Sequence, residues 1–314
     1  MERLDILTVG TALVDSIIKG FDPTPVSASG YRAASGSLNA GGEAVNEAIA
    51  AAKLGMKTGI LCSLGTDAAG DMLLDVLTRG GVDVSRVLRD DEHPTPVTTM
   101  FVRDDGSRKS ITNGAHRYNF RPDLHVDRLT GARAVILGSL FRAPFDDPAI
   151  VLAVAEALKK NGTLLIADTK LPNFKSLTLA DLKAALPLFD YITPNEDEAK
   201  YYTGQTEPET MARTFLDAGV KNVIIKLGAK GCYFQNATEA IALPPLPIDA
   251  VDATGAGDNF AAGFAAALLQ GYGHRDALRF ANACGAICTT AVGAGTALKC
   301  REQVWAFLTE RERV

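Results

Sequence analysis

The sequence predicts an α/β fold: a mostly parallel central sheet with helices on both faces, and a small antiparallel sheet laid over one end as a lid. Three observations predict it. From Ala134 onward, short apolar strand patterns alternate with helical patterns. Repeated strand–helix units demand parallel pairing, because each helix carries the chain back to the same edge. Between Thr95 and Thr112 two strand patterns follow one another with no helix, joined by Asp104-Asp105-Gly106-Ser107. That is a hairpin signal, and such a pair must project from the main sheet. Late in the chain, Val251–Phe260 reads Val-Asp-Ala-Thr-Gly-Ala-Gly-Asp-Asn-Phe. It links an extended segment, Ile248–Val251, to the apolar helical pattern Phe260, Ala261, Phe264 and Leu268.

Taken in order, Leu4–Val9 is a strand that Gly10 ends, and Leu13–Ile18 a second one carrying Asp15. Phe21–Gly30 is a Pro/Ser/Gly-rich loop and Tyr31–Leu38 a strand. Asn39-Ala-Gly-Gly-Glu43 opens a helix over Ala44–Leu54, closed by Gly55. Lys57–Ser63 is a strand, Asp67 caps a helix over Ala69–Arg79, and Val82–Val87 is a strand. Val97–Val102 and Arg108–Thr112 form the hairpin. Then come strand Ala134–Gly138, helix Asp147–Lys160, strand Thr163–Ala167 ending at Asp168, helix Leu179–Leu186 and strand Tyr191–Thr193. Helices Asn195–Tyr202 and Pro208–Ala218, strand Asn222–Leu227 and the hairpin Gly231–Phe234 with Ala240–Leu243 follow. Three helices close the chain: Gly257–Gln270, Arg275–Ala291 and Arg301–Arg311. With no repeat and no linker, residues 1–314 read as one domain, with lid strands inserted at about 12–38 and 96–113.

Composition narrows the function classes. The chain has 314 residues, 47% of them hydrophobic, and a formal net charge of −5 without a basic stripe, so nucleic acid is not an expected partner. No apolar run reaches the ~18–20 residues of a membrane helix, and no secretory leader precedes the first strand. The cysteines at 62, 232, 284, 288 and 300 are odd in number and lie among apolar residues, as free thiols of a reducing cytoplasm do. Cys284 and Cys288 have no accompanying ligand pair and read as core.

Five stretches carry chemistry. Small residues leave the amides of Thr254–Gly257 open at a helix N-terminus, where unpaired N–H groups and the helix dipole both attract an anion. Asp258 follows at once, either as a helix cap or as a general base that takes a proton from a hydroxyl attacking a phosphate. Gly41-Gly42 lets a ligand approach the backbone at a helix start, and Asn46, one turn on, suits sugar hydroxyls because an amide both donates and accepts. Asn195 and Glu198 share a face at a helix start, which fits either a capping pair or hydrated Mg²⁺. Lys226-Leu-Gly228-Ala-Lys-Gly231 is a turn or the wall of a nucleotide pocket. Asp168-Thr-Lys170, at a strand's end, is a surface ion pair or a contact to a sugar or phosphate. No P-loop, dinucleotide fingerprint, Gly-x-Ser-x-Gly or His-Glu-x-x-His occurs.

In this order and spacing, Gly41-Gly42…Asn46, Asn195-x-x-Glu198 and Asp252-Ala-Thr-Gly-Ala-Gly-Asp258 resemble the signatures of the ribokinase-like carbohydrate kinases of the PfkB family. The resemblance spans nearly the whole chain and implies ATP-dependent phosphorylation of a sugar or nucleoside hydroxyl. It implies Asp258 as base and the amides of Gly255, Ala256 and Gly257 as anion hole. Asp15, Gly41, Gly42, Asn46 and Asp168 would hold the acceptor. Lys226, Gly228, Gly231, Thr254 and Asn282 would lie along the nucleotide, with Asn195 and Glu198 serving both it and Mg²⁺. Asp252 matches one position of the K⁺ site that many members carry beside the anion hole. Asp168-Thr-Lys170 departs from the Asp-x-Asn-x-Arg of many fructokinase-like members, which leaves the acceptor open. A nucleoside kinase using Phe101, Tyr118 or Phe141 and a non-catalytic sensor are the alternatives, and a homodimer through the lid is expected.

Overall fold

The computed structural model describes residues 3–20, 32–103, 105, 107–113 and 120–311. The loop expected over Phe21–Gly30, Tyr31, the hairpin residues Asp104 and Gly106, and Tyr118 lie outside the described residues.

In chain order the strands are β1 (Leu4–Val9), β2 (Leu13–Lys19), β3 (Ser35–Gly41), β4 (Thr58–Leu61), β5 (Ser63–Gly65), β6 (Leu88–Asp90), β7 (Val97–Val102) and β8 (Arg108–Thr112). They continue with β9 (Ala132–Leu140), β10 (Leu164–Thr169), β11 (Tyr191–Thr193), β12 (Asn222–Lys226), β13 (Cys232–Asn236) and β14 (Ala240–Leu243). The helices are α1 (Glu43–Lys53), α2 (Ala68–Arg79), α3 (Pro148–Lys160), α4 (Glu196–Thr203), α5 (Pro208–Asp217), α6 (Ala256–Leu269), α7 (His274–Cys288) and α8 (Arg301–Arg311).

The main sheet has the order β14-β13-β12-β11-β10-β9-β1-β4. Every pairing from β12 to β4 is parallel; only the β12–β13–β14 edge is antiparallel. Neighbouring residues on these strands go to opposite cores. Leu7, Val135, Leu165 and Val223 join one cluster with α3, α4 and α5, while Ile6, Ile136, Ile166 and Ile224 join another with α6, α7 and α8. A strand buried on both faces has no polar side to alternate with, which is why the strand patterns read as continuous apolar runs. Because the strands run parallel, the carboxyl ends of β1, β9, β10, β11 and β12 share one edge, the edge where such folds bind ligands.

The second sheet has the order β3-β2-β7-β8. Its two outer pairings are antiparallel and its central β2–β7 pairing is parallel. Register places Asn39, Asp15, Thr98 and Thr112 in one row and Leu38, Ser16, Thr99 and Ile111 in the next, so the two rows point to opposite faces.

Several expectations are corrected. The strand over Tyr31–Leu38 begins at Ser35 and runs on to Gly41, bringing Asn39 opposite Asp15. Val82–Val87 makes only a single bridge at Asp83; the Asp83 carboxylate accepts the Ser85 amide, and that local turn competes with a ladder. Leu179–Leu186 is a series of mostly i→i+3 turns leading into a 3₁₀ turn at Leu186–Leu188, where Pro187 has no N–H to extend an α-helical ladder. Ile248–Val251 joins no sheet. The chain entering the Gly-rich turn is tied instead to the end of α7, through Val251 and Asp252 amides that both donate to the Thr289 carbonyl.

Candidate active site

The Gly-rich turn is built by sterics. Gly255 caps α6 in the left-handed region at φ 77°, and a Cβ there would lie 2.2 Å from that of Ala294. No other residue type fits both demands. Asn259 locks the turn by donating to the carbonyls of Gly255 (2.8 Å) and Ala294 (2.9 Å). Asp252 supports it from the other side, accepting from Thr254 through amide and hydroxyl and from the Gly293 amide. Of the expected amide row, Ala256 turns back to the Ala253 carbonyl at 3.2 Å, and the Thr254 amide belongs to Asp252. Among the described residues no acceptor meets the amides of Gly255, Gly257 and Asp258. The open row is therefore Gly255, Gly257 and Asp258, one residue later than the sequence suggests, because the αL residue points the Ala256 N–H inward.

Asp258 is 4% exposed on the first turn of α6. Asn46 of α1 donates to its Oδ2 at 2.7 Å, joining two motifs that lie 212 residues apart in the chain. Burial pushes this carboxyl above the usual range; the Lys170 ammonium opposes that, and the charges of Glu43 and Asp168 add to it. Asp168, at the end of β10, accepts from Lys226 at 2.5 Å and from Thr193 at 2.8 Å. The Lys226 ammonium sits at the mouth of the turn, 3.0 Å from where a Cβ on Gly257 would be. A cation held against the positive end of a helix is repelled, so the local field favours an anion between them. Lys170 lies 3.6 Å from Glu43; burial works against its charge, but Asp258, Glu43, Asp168 and Glu198 together hold the ammonium above the usual lysine range.

On the other flank, Gly42 caps α1 at φ 98°, where a Cβ would stand 2.4 Å from the Thr11 carbonyl. The Asp15 carboxylate lies directly over the Gly41 backbone, 2.2 Å from where a Cβ would be, so Gly41 makes room for it.

On the nucleotide flank, Asn195 and Lys226 are bridged at the ends of β11 and β12, with the Lys226 amide donating to the Pro194 carbonyl. Gly228 and Gly231 bound a 3₁₀ turn, both at positive φ, and a Cβ on Gly231 would run into the Leu243 carbonyl. Asn282 of α7 lies near the Cys232 thiol beside that turn. Asn195 and Glu198 form a reciprocal capping box, and Glu198 Oε2 also accepts from Thr169. The capping arrangement thus occupies Asn195 Oδ1 and one carboxylate oxygen. Glu198 Oε1 is left over, an oxygen donor of the kind hydrated Mg²⁺ uses through water. Cys284 is buried between α6 and α7, where a Cβ on Gly263 would meet its sulfur.

The structure thus gathers Asp258, Asn46, Asp168, Lys226 and the turn at one sheet edge. It leaves Asp15 on the small sheet and Asn282 behind β13. Two residues absent from the sequence expectations join the cluster. Asn259 holds the turn, and Glu47 is fully buried within 4.8 Å of Asp168 and Asp258, carboxylate oxygen to carboxylate oxygen. The signal for Glu47 was present: a carboxylate on the apolar stripe of α1, among Ala44, Ala48 and Ala51.

Comparison with known proteins shows the family. The pfkB family carbohydrate kinase profile matches residues 4–300. A Haemophilus influenzae ribokinase is 28% identical over 85% of this chain and 87% of its own, and a Bacillus subtilis 2-dehydro-3-deoxygluconokinase 30% over 86% of each. The structure of Arabidopsis thaliana ribokinase complexed with ribose and ATP superposes with a TM-score of 0.85 at 29% identity, covering 98% of this chain and 99% of that one. Among the described residues, no helix is long and apolar enough to cross a membrane. With nearly the whole chain matched, the protein belongs to the pfkB family of carbohydrate kinases.

Proposed function

We propose that this chain transfers the γ-phosphoryl group of ATP to a hydroxyl of a sugar, with Asp258 as the general base. The observation that carries the reading is the convergence at Asp258: a buried carboxylate oriented by Asn46 at 2.7 Å, on the residue whose amide ends the open row, with the Lys226 ammonium across the turn. Asp258 takes the proton of the sugar hydroxyl as that oxygen bonds to the γ-phosphorus and the bond to the leaving ADP oxygen breaks. The amides of Gly255, Gly257 and Asp258, together with Lys226, meet the charge on the transferring group. Positioning and charge stabilisation of this kind supply most of the catalysis in phosphoryl transfer.

Glu198, through its remaining oxygen, and Asn195 would hold Mg²⁺ by way of its waters, and the ion would neutralise phosphate charge. Gly228, Gly231, Thr254 and Asn282 would border the nucleotide, and Asp252 would serve K⁺. The acceptor would lie under the polar row Asn39-Asp15-Thr98-Thr112, between the small sheet and Gly41-Gly42. Glu43, Lys170 and Lys226 add charges to that space, which suits a polyhydroxylated acceptor better than a stacked base. The ribokinase and the 2-dehydro-3-deoxygluconokinase match this chain almost equally well, so kinship favours no single sugar.

The opposite row of the small sheet exposes Leu38 at 62% and Ile111 at 68%. Those two exposed apolar side chains, on the outer strands of the row with Ser16 and Thr99 between them, support a homodimer joined through the lid. The five free cysteines, four of them buried, fit a cytoplasmic setting. A coupled ADP-release assay over a panel of pentoses, hexoses, sugar acids and nucleosides tests the activity. Release that depends on at least one sugar is expected; release that depends only on nucleosides, or on no acceptor, would refute the reading.

A further inference from the structure

Glu47 and Asp168 present an unsolved account of donors and acceptors. Both carboxylate oxygens of Glu47, and Oδ2 of Asp168, are buried and have no hydrogen-bond partner. The two residues are 0% and 1% exposed. A buried acceptor without a donor costs about 1–3 kcal/mol, more when charged. Three carboxylates within 4.8 Å of one another cannot all stay ionised cheaply. Asp168 already has Lys226 and Thr193 on Oδ1, and Asp258 has Asn46 on Oδ2. Glu47 has nothing, and it lies close against Gly138, where an added Cβ would stand 3.1 Å from its Oε2. Asp168, which shares this cluster, also has a buried oxygen without a donor, its Oδ2.

We propose that Glu47 works as a neutral carboxylic acid that donates a hydrogen bond to Asp168 Oδ2, leaving Asp258 as the ionised base of the cluster. This rests on the reading of Asp258 as base. Glu47 is then a positioning residue: it satisfies Asp168, which holds Lys226 at the turn, and it adds no third negative charge beside Asp258. The charged groups facing it are Glu43 on its own helix, Asp168 on β10, Asp258 on α6 and Lys226 on β12. Burial first, then the charges of Asp168, Asp258 and Glu43, hold its proton on well above the usual carboxylate range.

The sign of the pH effect follows. A carboxyl whose folded-state affinity for protons is raised stabilises the fold in full below its unfolded value of 4.5, and that stabilisation is lost as pH rises through the folded value. Glu47→Gln keeps a donor in the same place and removes the titration. The melting temperature of Glu47→Gln minus that of the unaltered protein should therefore rise by at least ~2 °C between pH 5 and pH 8. In turnover at pH 7, Glu47→Gln should lose less than about tenfold in kcat and Glu47→Leu about a hundredfold, because only the leucine leaves Oδ2 of Asp168 without a donor. A melting difference that is flat in pH, or a glutamine variant as slow as the leucine variant, overturns the proposal. The melting arm uses no substrate, so it stands whatever the acceptor panel returns.

Discussion

The turn at the head of α6 and the four-stranded sheet above it are built on opposite terms. From Asp258 to Ala267 ten consecutive residues are buried, and contacts from α1, α7 and the Ala294 loop fix the turn. In the small sheet, Leu38 and Ile111 stand more than half exposed, and residues 35–39 of β3 are all exposed. The first region is anchored to the buried helix behind it and closed by Gly255 against Ala294. The second is held mainly by its own ladder. Chemistry common to many sugars suits the rigid region, and the choice of sugar suits the part whose surface can change without disturbing a core.

That contrast can be broken most severely at Gly255. Gly255→Val would force a β-branched residue to φ 77° and into Ala294. The amide row should rotate away, with a loss of about 10²–10³ in kcat, as for removal of an oxyanion-hole donor. Activity within threefold of normal in a kinetic assay would mean that the row binds nothing. Lys226→Met is the next test. It removes the cation at the turn and unpairs Asp168, and kcat/KM for ATP should fall about a hundredfold while the fold, followed by circular dichroism, persists. Should only KM for the sugar change, Lys226 belongs to the acceptor and not to the phosphate. The smallest effect is expected on the other region. Leu38→Asp with Ile111→Asp should shift the sedimentation mass from dimer to monomer and change kcat by less than about threefold. A dimer that survives both changes is joined elsewhere.

Much of this was legible in the sequence, for reasons that differ from residue to residue. Gly42 and Gly255 could be read because positive φ and a blocked Cβ leave glycine as the sole choice. β9 and β10 could be read because both their faces are buried. The turn's neighbours could not. Asn46 meets Asp258 across 212 residues, and nothing local announces that distance. Ile248–Val251 looked like a strand because apolar extended residues carry no mark of whether a partner strand exists. The direction of the Ala256 amide depended on one dihedral angle at Gly255. Glu47 was passed over because a lone carboxylate in a helix reads as solvated until the helix is seen to face α6.

The most direct test of the account separates binding from chemistry at Asp258. Asp258→Asn keeps the side chain's shape and its contact with Asn46 but cannot take a proton. Calorimetric titration should give an ATP affinity within about fivefold of the unaltered protein, while sugar-dependent ADP release falls by at least ~10³. Turnover retained to within tenfold in that variant would contradict the claim that this carboxylate is the base.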